Sequence, residues 1–234
     1  MARQARGALP GVPHLVTQRV QEGQSLARDD VDYQLLLDVL RSASRENRVA
    51  VHAYALCPQD WWLLVTPTTE NGLSLMVQSL GRRYVAAFNR RHGRQGSLWA
   101  GRYRSCVIAS AQDLLDCMVL VESPHQTERV GPATSLTWSS AMHHLGLRQD
   151  PLVAEHAQFW TLGNTPFDRD AAWKLRLEAG LASDRKRQLA ESVNKGWALG
   201  SPEDVLRLQQ QTDRRLQPGR RGRPPKREDG AQNA

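Results

Sequence analysis

Cysteine is scarce in this chain. Three of 234 residues, Cys57, Cys106 and Cys117, make an odd number with no Cys-x-x-Cys spacing. That argues against a disulfide framework and against a cysteine-built zinc site, and it fits a reducing cytoplasm. Long apolar stretches are missing too. No purely apolar run exceeds the five residues of Trp61 to Val65, far short of a membrane span. Met1 to Val16 has basic residues but no apolar core of the kind a secretory leader needs. A cytoplasmic protein without a membrane partner is expected. No His-Glu-x-x-His, no Gly-x-Ser-x-Gly elbow and no phosphate-binding P-loop occurs. Acids are absent from Asn71 to Gln112, and no tyrosine follows Tyr103.

Apolar residues make up 40% and charged residues 24%, enough to bury a core. The net charge of +7 is unevenly placed. Arg214 to Arg227 holds seven basic residues and no acid. Residues 1–213 hold 24 basic and 22 acidic residues, and seven of the basic ones are arginines in the acid-free stretch 71–112, which leaves the rest of that body at net −5. Two basic zones on a slightly acidic body point to a polyanion, most simply nucleic acid.

No repeat of fixed period is visible. His14 to Arg19 reads as a strand. Asp29-Asp30 caps a helix to about Asn47, with Val31, Leu35, Val39 and Ala43 on one face. Val49 to Leu56 reads as a strand with Val49, Val51, Ala53 and Ala55 together on one side. Cys57-Pro58-Gln59-Asp60 forms a turn, and Trp61 to Thr66 pairs back as a hairpin. Leu73 to Arg91 is the clearest helix; Arg104 to Ala109 is a strand and Ala111 to Val121 a helix. The order β-α-β-β-α-β is the split β-α-β, ferredoxin-like arrangement, an α+β fold with an antiparallel sheet and helices on one face. Residues 124–152 read as loops and 153–210 as short helices, the better ones at Ala182–Asn194 and Pro202–Thr212. The expected divisions are a ferredoxin-fold domain over 1–130, a helical extension over 131–213 and a basic tail over 214–234, disordered when free.

Several local phrases coincide with this order of elements. They are Leu15-Val16-Thr17-Gln18-Arg19, Val51-His52-Ala53-Tyr54-Ala55-Leu56, Tyr84 to Gly93, Gly96 to Ser105, Trp138-Ser139-Ser140, Asn194 to Ser201 and Arg221-Gly222-Arg223-Pro224. On these the chain resembles the REP-associated tyrosine transposases, bacterial members of the single-tyrosine HUH transposases. The resemblance implies a divalent metal, Mg²⁺ or Mn²⁺, held by two histidines on one strand face. It implies a tyrosine that attacks phosphorus and becomes joined to the cut strand, and a DNA substrate that is a single strand folded as an imperfect hairpin.

The catalytic positions carry other residues. The two metal-ligand positions fall on Asp60 and Trp62, and the nucleophile position on Val119. A carboxylate can hold a hard cation, but an indole offers only an N–H donor and valine has no nucleophile. The remaining tyrosines, Tyr33, Tyr54, Tyr84 and Tyr103, all precede the helix that should bear the nucleophile. The seven histidines, His14, His52, His92, His125, His143, His144 and His156, show no ligand spacing. Asp113 and Asp116 read as acids in a first helical turn.

The basic residues remain. Arg82, Arg83, Arg90, Arg91, Arg94, Arg102 and Arg104 suit phosphate oxygens, and Trp99 and Tyr103 between them suit stacking on unpaired bases. In the tail, Arg220, Arg221, Arg223 and Lys226 surround an Arg-Gly-Arg-Pro core that resembles an AT-hook, able to enter an A·T-rich minor groove. The expectation is a DNA-binding protein without a cofactor that recognises hairpin-forming single-stranded or repeat DNA and does not cut it. Two alternatives stand beside it: an active transposase with Asp60 as relocated ligand and Tyr103 as relocated nucleophile, and a scaffold with a protein partner. No oligomeric state follows from the sequence.

Overall fold

The computed structural model describes residues 8–123 and 137–218. Strand β1 (His14–Arg19), helix α1 (Asp30–Glu46), β2 (Val49–Leu56), β3 (Asp60–Pro67), α2 (Gly72–His92) and β4 (Arg104–Val107) follow the expected order. The strands form one sheet, β2-β3-β1-β4, in which every neighbouring pair is antiparallel. Local chemistry sets the element ends. The Asp29 side chain accepts from the Asp32 backbone N–H at the start of α1. Gly93 ends α2 at φ 60°, a left-handed geometry that costs glycine little.

The sheet has two apolar faces. On the first, Val16, Tyr54, Trp61, Leu63 and Val65 pack beneath α1 and α2. On the second, Leu15, Ala53, Ala55, Leu64 and Cys106 pack beneath α3 (Ala111–Glu122) and helices that follow it. After α4 (Ala141–His144), α5 (Ala157–Trp160), α6 (Pro166–Ala179) and α7 (Ser183–Lys195) supply Phe159, Trp173, Leu189 and Val193 to this core, while α8 (Pro202–Gln209) packs Val205 in a smaller cluster with Val107 and Leu216. Helices on a single face would leave Leu15, Leu64 and Cys106 in water, so the expected two-layer arrangement gains a third layer. The expected alternation of β2 is also corrected. A register shift between Val51 and Ala53 places Val49 and Val51 in the first core and Ala53 and Ala55 in the second.

The C-terminal segments cover both sheet edges. Beside β2, the Ala154 N–H donates to the Val51 carbonyl at 2.8 Å and the Leu56 N–H to the Trp138 carbonyl at 2.9 Å. Beside β4, Leu199 exchanges bonds with Ala109 at 2.6 Å and Val107 at 2.8 Å. Unpaired edge groups are thereby satisfied. A buried polar knot ties the layers together. The Glu122 carboxylate, at the end of α3, accepts from His144 Nδ1 at 2.6 Å, Trp173 Nε1 at 2.8 Å and the Ser140 hydroxyl. The expected boundary at residues 130 and 131 lies outside the described residues.

Candidate nucleic-acid interface

Strand pairing decides which side chains share a surface. Side chains directly opposite in neighbouring strands point to the same face. Trp62 is opposite Thr17, and Thr17 is opposite Arg104. Asp60 is opposite Arg19. These residues therefore gather on the second face, where the strand ends leave a cleft of about 1070 Å³. Arg102 and Leu120 line it as well, and α7 closes one side with Lys186, Arg187 and Asn194. Arg19, Arg102, Arg104, Lys186 and Arg187 outnumber the two acids of the lining, Glu22 and Asp60.

The orientation of α7 follows from its charges. Arg185 Nε meets Asp116 of α3 at 2.8 Å, and its Nη2 meets Asp113. Arg176 of α6 reaches Asp116 at 3.2 Å. The two acids expected only to favour a helix start also hold α7 against α3, which leaves Lys186 and Arg187 at the cleft. Arg187 pairs with Asp184. Arg104 donates to the Asn194 carbonyl at 2.8 Å.

Asp60 and Trp62, the two positions where the resemblance leads us to expect metal ligands, stand side by side in the cleft and face each other. Trp62 Nε1 donates to Asp60 Oδ1 at 3.2 Å, and Asp60 is buried at 2% exposure. Among the described residues, no three His, Cys, Asp or Glu side chains come together to hold a metal ion. A divalent ion held by a histidine pair does not fit the residues present: one carboxylate is committed to an indole N–H, and its neighbour has no lone pair to offer. Val119 is fully buried in the second core, and it is the next residue, Leu120, that reaches the cleft. Asp60 and Tyr103, the pair that a relocated centre would need, lie on opposite faces. Tyr103 is buried in the first core with its hydroxyl 2.9 Å from Ser74.

The arginines of α2 lie in the first layer, away from the cleft. Acids of α1 and of its N-cap answer two of them. Arg83 meets Glu46 at 2.9 Å, and Arg91 meets Asp29 at 2.7 Å and buried Asp32 at 2.6 Å. The hydrogen bond from Arg91 holds the Asp29 carboxyl below the usual carboxylate range. Arg94 bonds to Asn89 at 2.8 Å and sits over the Phe88 ring at 5.7 Å. Arg82 and Arg90 are exposed. Trp99 is partly buried against the first core, beside Gly81, where a Cβ would stand 3.2 Å from its indole nitrogen. The structure thus brings together Asp60, Trp62, Arg102 and Arg104 and separates them from the α2 arginines, Trp99 and Tyr103. Arg19, Lys186 and Arg187 join the cleft without having been singled out. The run Arg185-Lys186-Arg187 was the available signal for two of them. Arg220, Arg221, Arg223 and Lys226 lie outside the described residues.

Among the described residues, no helix is long and apolar enough to cross a membrane. No protein-family model matches the chain, and no curated protein matches its sequence. Solved structures do. The fold is transposase-like: it is similar to the structure of a REP-associated tyrosine transposase bound to a REP hairpin, with a TM-score of 0.53 and 12% identity over 67% of this chain and 99% of that one. A candidate transposase from Deinococcus radiodurans R1 aligns at 22% identity over 44% of this chain and 84% of that one, with a TM-score of 0.34, too loose to bear on the argument.

Proposed function

We propose that this chain is a cytoplasmic DNA-binding protein of the REP-associated tyrosine transposase type, holding hairpin-forming single-stranded or repeat DNA in the cleft without cutting it. The observation that carries the reading is the cleft itself. Five basic side chains surround the two positions where the family places its metal ligands, and those positions now hold a tryptophan hydrogen-bonded to a buried aspartate. Arginine and lysine supply phosphate contacts, and the partly exposed Trp62 ring supplies an aromatic face among them. The solved transposase of similar fold carries a REP hairpin, which supports DNA as the ligand class here. With Val119 buried, the helix that should present a nucleophile presents none, so the reading assigns the chain no strand transfer.

The test uses a labelled hairpin oligonucleotide and the full chain, with fluorescence anisotropy read against salt. Binding that weakens by about 0.7 log units per log unit of salt for each phosphate contacted is expected. Binding that ignores salt, or no binding at low salt, overturns the reading.

A further inference from the structure

Helix α7 carries two stripes. Arg185, Leu189 and Val193 recur every four residues and turn inward; Leu189 and Val193 are buried in the second core. One residue further along, Lys186, Ala190 and Asn194 line the cleft. A one-residue step is about 100° of helix rotation, so a turn of α7 about its own axis carries Lys186 off the cleft. Leu189 and Val193 do not fix that angle by themselves, because apolar burial has no preferred direction. Arg185 does: its Nε donates to Asp116 of α3 at 2.8 Å and its Nη2 to Asp113, two directed bonds to carboxylates three residues apart on one face of α3. Both carboxylates of this lock are themselves held. Asp116 also accepts from Arg176 at 3.2 Å and from Gln112 at 2.9 Å, and Asp113 accepts from the Ser110 hydroxyl.

We propose, on the reading of the cleft as a DNA site, that Asp113 and Asp116 are positioning residues: two acids that tighten DNA binding by fixing, through Arg185, the rotation of α7 that presents Lys186 to phosphate. None of the three lines the cleft. Their effect has the opposite sign to plain Coulomb repulsion. Asp116 stands about one turn of α3 before Leu120, which lines the cleft, so its charge alone disfavours a nearby polyanion. Glu22, an acid of the lining that takes no part in these bonds, supplies the comparison.

Two measurements on the full chain test this. In the first, a labelled hairpin oligonucleotide is titrated by fluorescence anisotropy across a range of salt. Glu22→Gln is expected to tighten binding. Asp116→Asn, which removes the same charge, is expected to weaken it about fivefold and to take about 0.7 from the salt slope as the Lys186 contact is lost. A misfolded fraction lowers the active concentration but not that slope. In an Arg185→Met background, where no lock remains, Asp116→Asn is expected to weaken binding no further. The second measurement uses no DNA. Lys186 is partly buried, and Lys195 is exposed on the same helix. In Asp116→Asn an amine-reactive label is expected to modify Lys186 faster and Lys195 at its native rate. Tighter binding by Asp116→Asn, weaker binding at an unchanged slope, equal weakening in the Arg185→Met background, or an unchanged Lys186 rate overturns the proposal. A native chain that binds no hairpin at low salt overturns the DNA reading, and this proposal with it; the label alone then reports whether the lock sets α7.

Discussion

At the residue scale, a position's neighbours decide what its side chain can do. Val119 is sealed in the second core, so Val119→Tyr does not build a nucleophile; it overfills a packed site. Overpacking of this kind costs about 1–3 kcal/mol. Thermal melting is expected to shift down by about 2–4 °C for each kcal/mol lost, with no cleavage gained. An unchanged melting temperature would show that α3 has room the packing denies. The arginines divide in the same way. Arg91 is held by Asp29 and Asp32, so Arg91→Ala is expected to lower stability and leave DNA affinity nearly unchanged. Arg102 lines the cleft and makes no ion pair among the described residues, so Arg102→Ala is expected to do the reverse, taking about 0.7 from the salt slope for one lost phosphate contact. Paired denaturation and anisotropy measurements check this; a larger affinity loss from Arg91→Ala would move the interface to α2. The stretch 71–112 looks unopposed in sequence because its counter-charges stand far away in the chain, on α1. Charge pairing across such separations is a property of the fold.

At the element scale, strand alternation was legible and its interruption was not. The hairpin of β2 and β3, the two long helices and the order of elements along the chain all follow from periodicity and turn residues. The bulge between Val51 and Ala53 does not, because small branched residues suit either face. Its neighbour His52 is held from both sides, with Nδ1 donating to the Ala154 carbonyl at 2.6 Å and Nε2 accepting from the Thr66 hydroxyl at 2.8 Å. Helix α6 carried clear start signals in Thr165, Pro166 and Asp168, yet its inward anchor depends on Glu122, fifty-one residues before Trp173. Glu122→Ala removes one acceptor from three buried donors. Leaving a buried donor without its acceptor costs about 1–3 kcal/mol, and Glu122→Gln, which retains the side-chain shape and one acceptor oxygen, is expected to cost less. Hydrogen exchange is expected to rise first in α4 and α6, ahead of the sheet. Uniform exchange throughout would show that the knot is not what docks these helices.

At the scale of the whole molecule, the third layer explains why the cleft exists. Sequence placed Trp62 and Arg104 on strands and Asp60 at the end of a turn, but only docking of α7 through Arg185 walls the cleft and adds Lys186 and Arg187. Whole-molecule stability is tied to pH through two sheet histidines. Burial pushes His14 and His52 down to about 4, and both are bonded as neutral rings, His14 between the Val12 carbonyl at 2.7 Å and the Leu9 N–H at 3.3 Å. Unfolding returns them to ordinary histidine values near 6.5. Between pH 6.5 and about 4 the unfolded chain binds more protons than the folded one, so stability falls as pH drops through that window. Each contributes up to about 3 kcal/mol. Denaturant titrations across this range check it, and a flat profile would mean that one or both rings are charged in the fold.

The proposed function has two halves: the chain binds hairpin DNA, and it leaves that DNA uncut. One incubation tests both halves: the full chain with a labelled hairpin oligonucleotide and Mg²⁺ or Mn²⁺, divided between a native gel and a denaturing gel. A shifted complex on the native gel with intact, unattached DNA on the denaturing gel is the expected result. A covalent protein–DNA band or a nicked strand that a chelator abolishes, or the absence of any shifted complex at low salt, would contradict it.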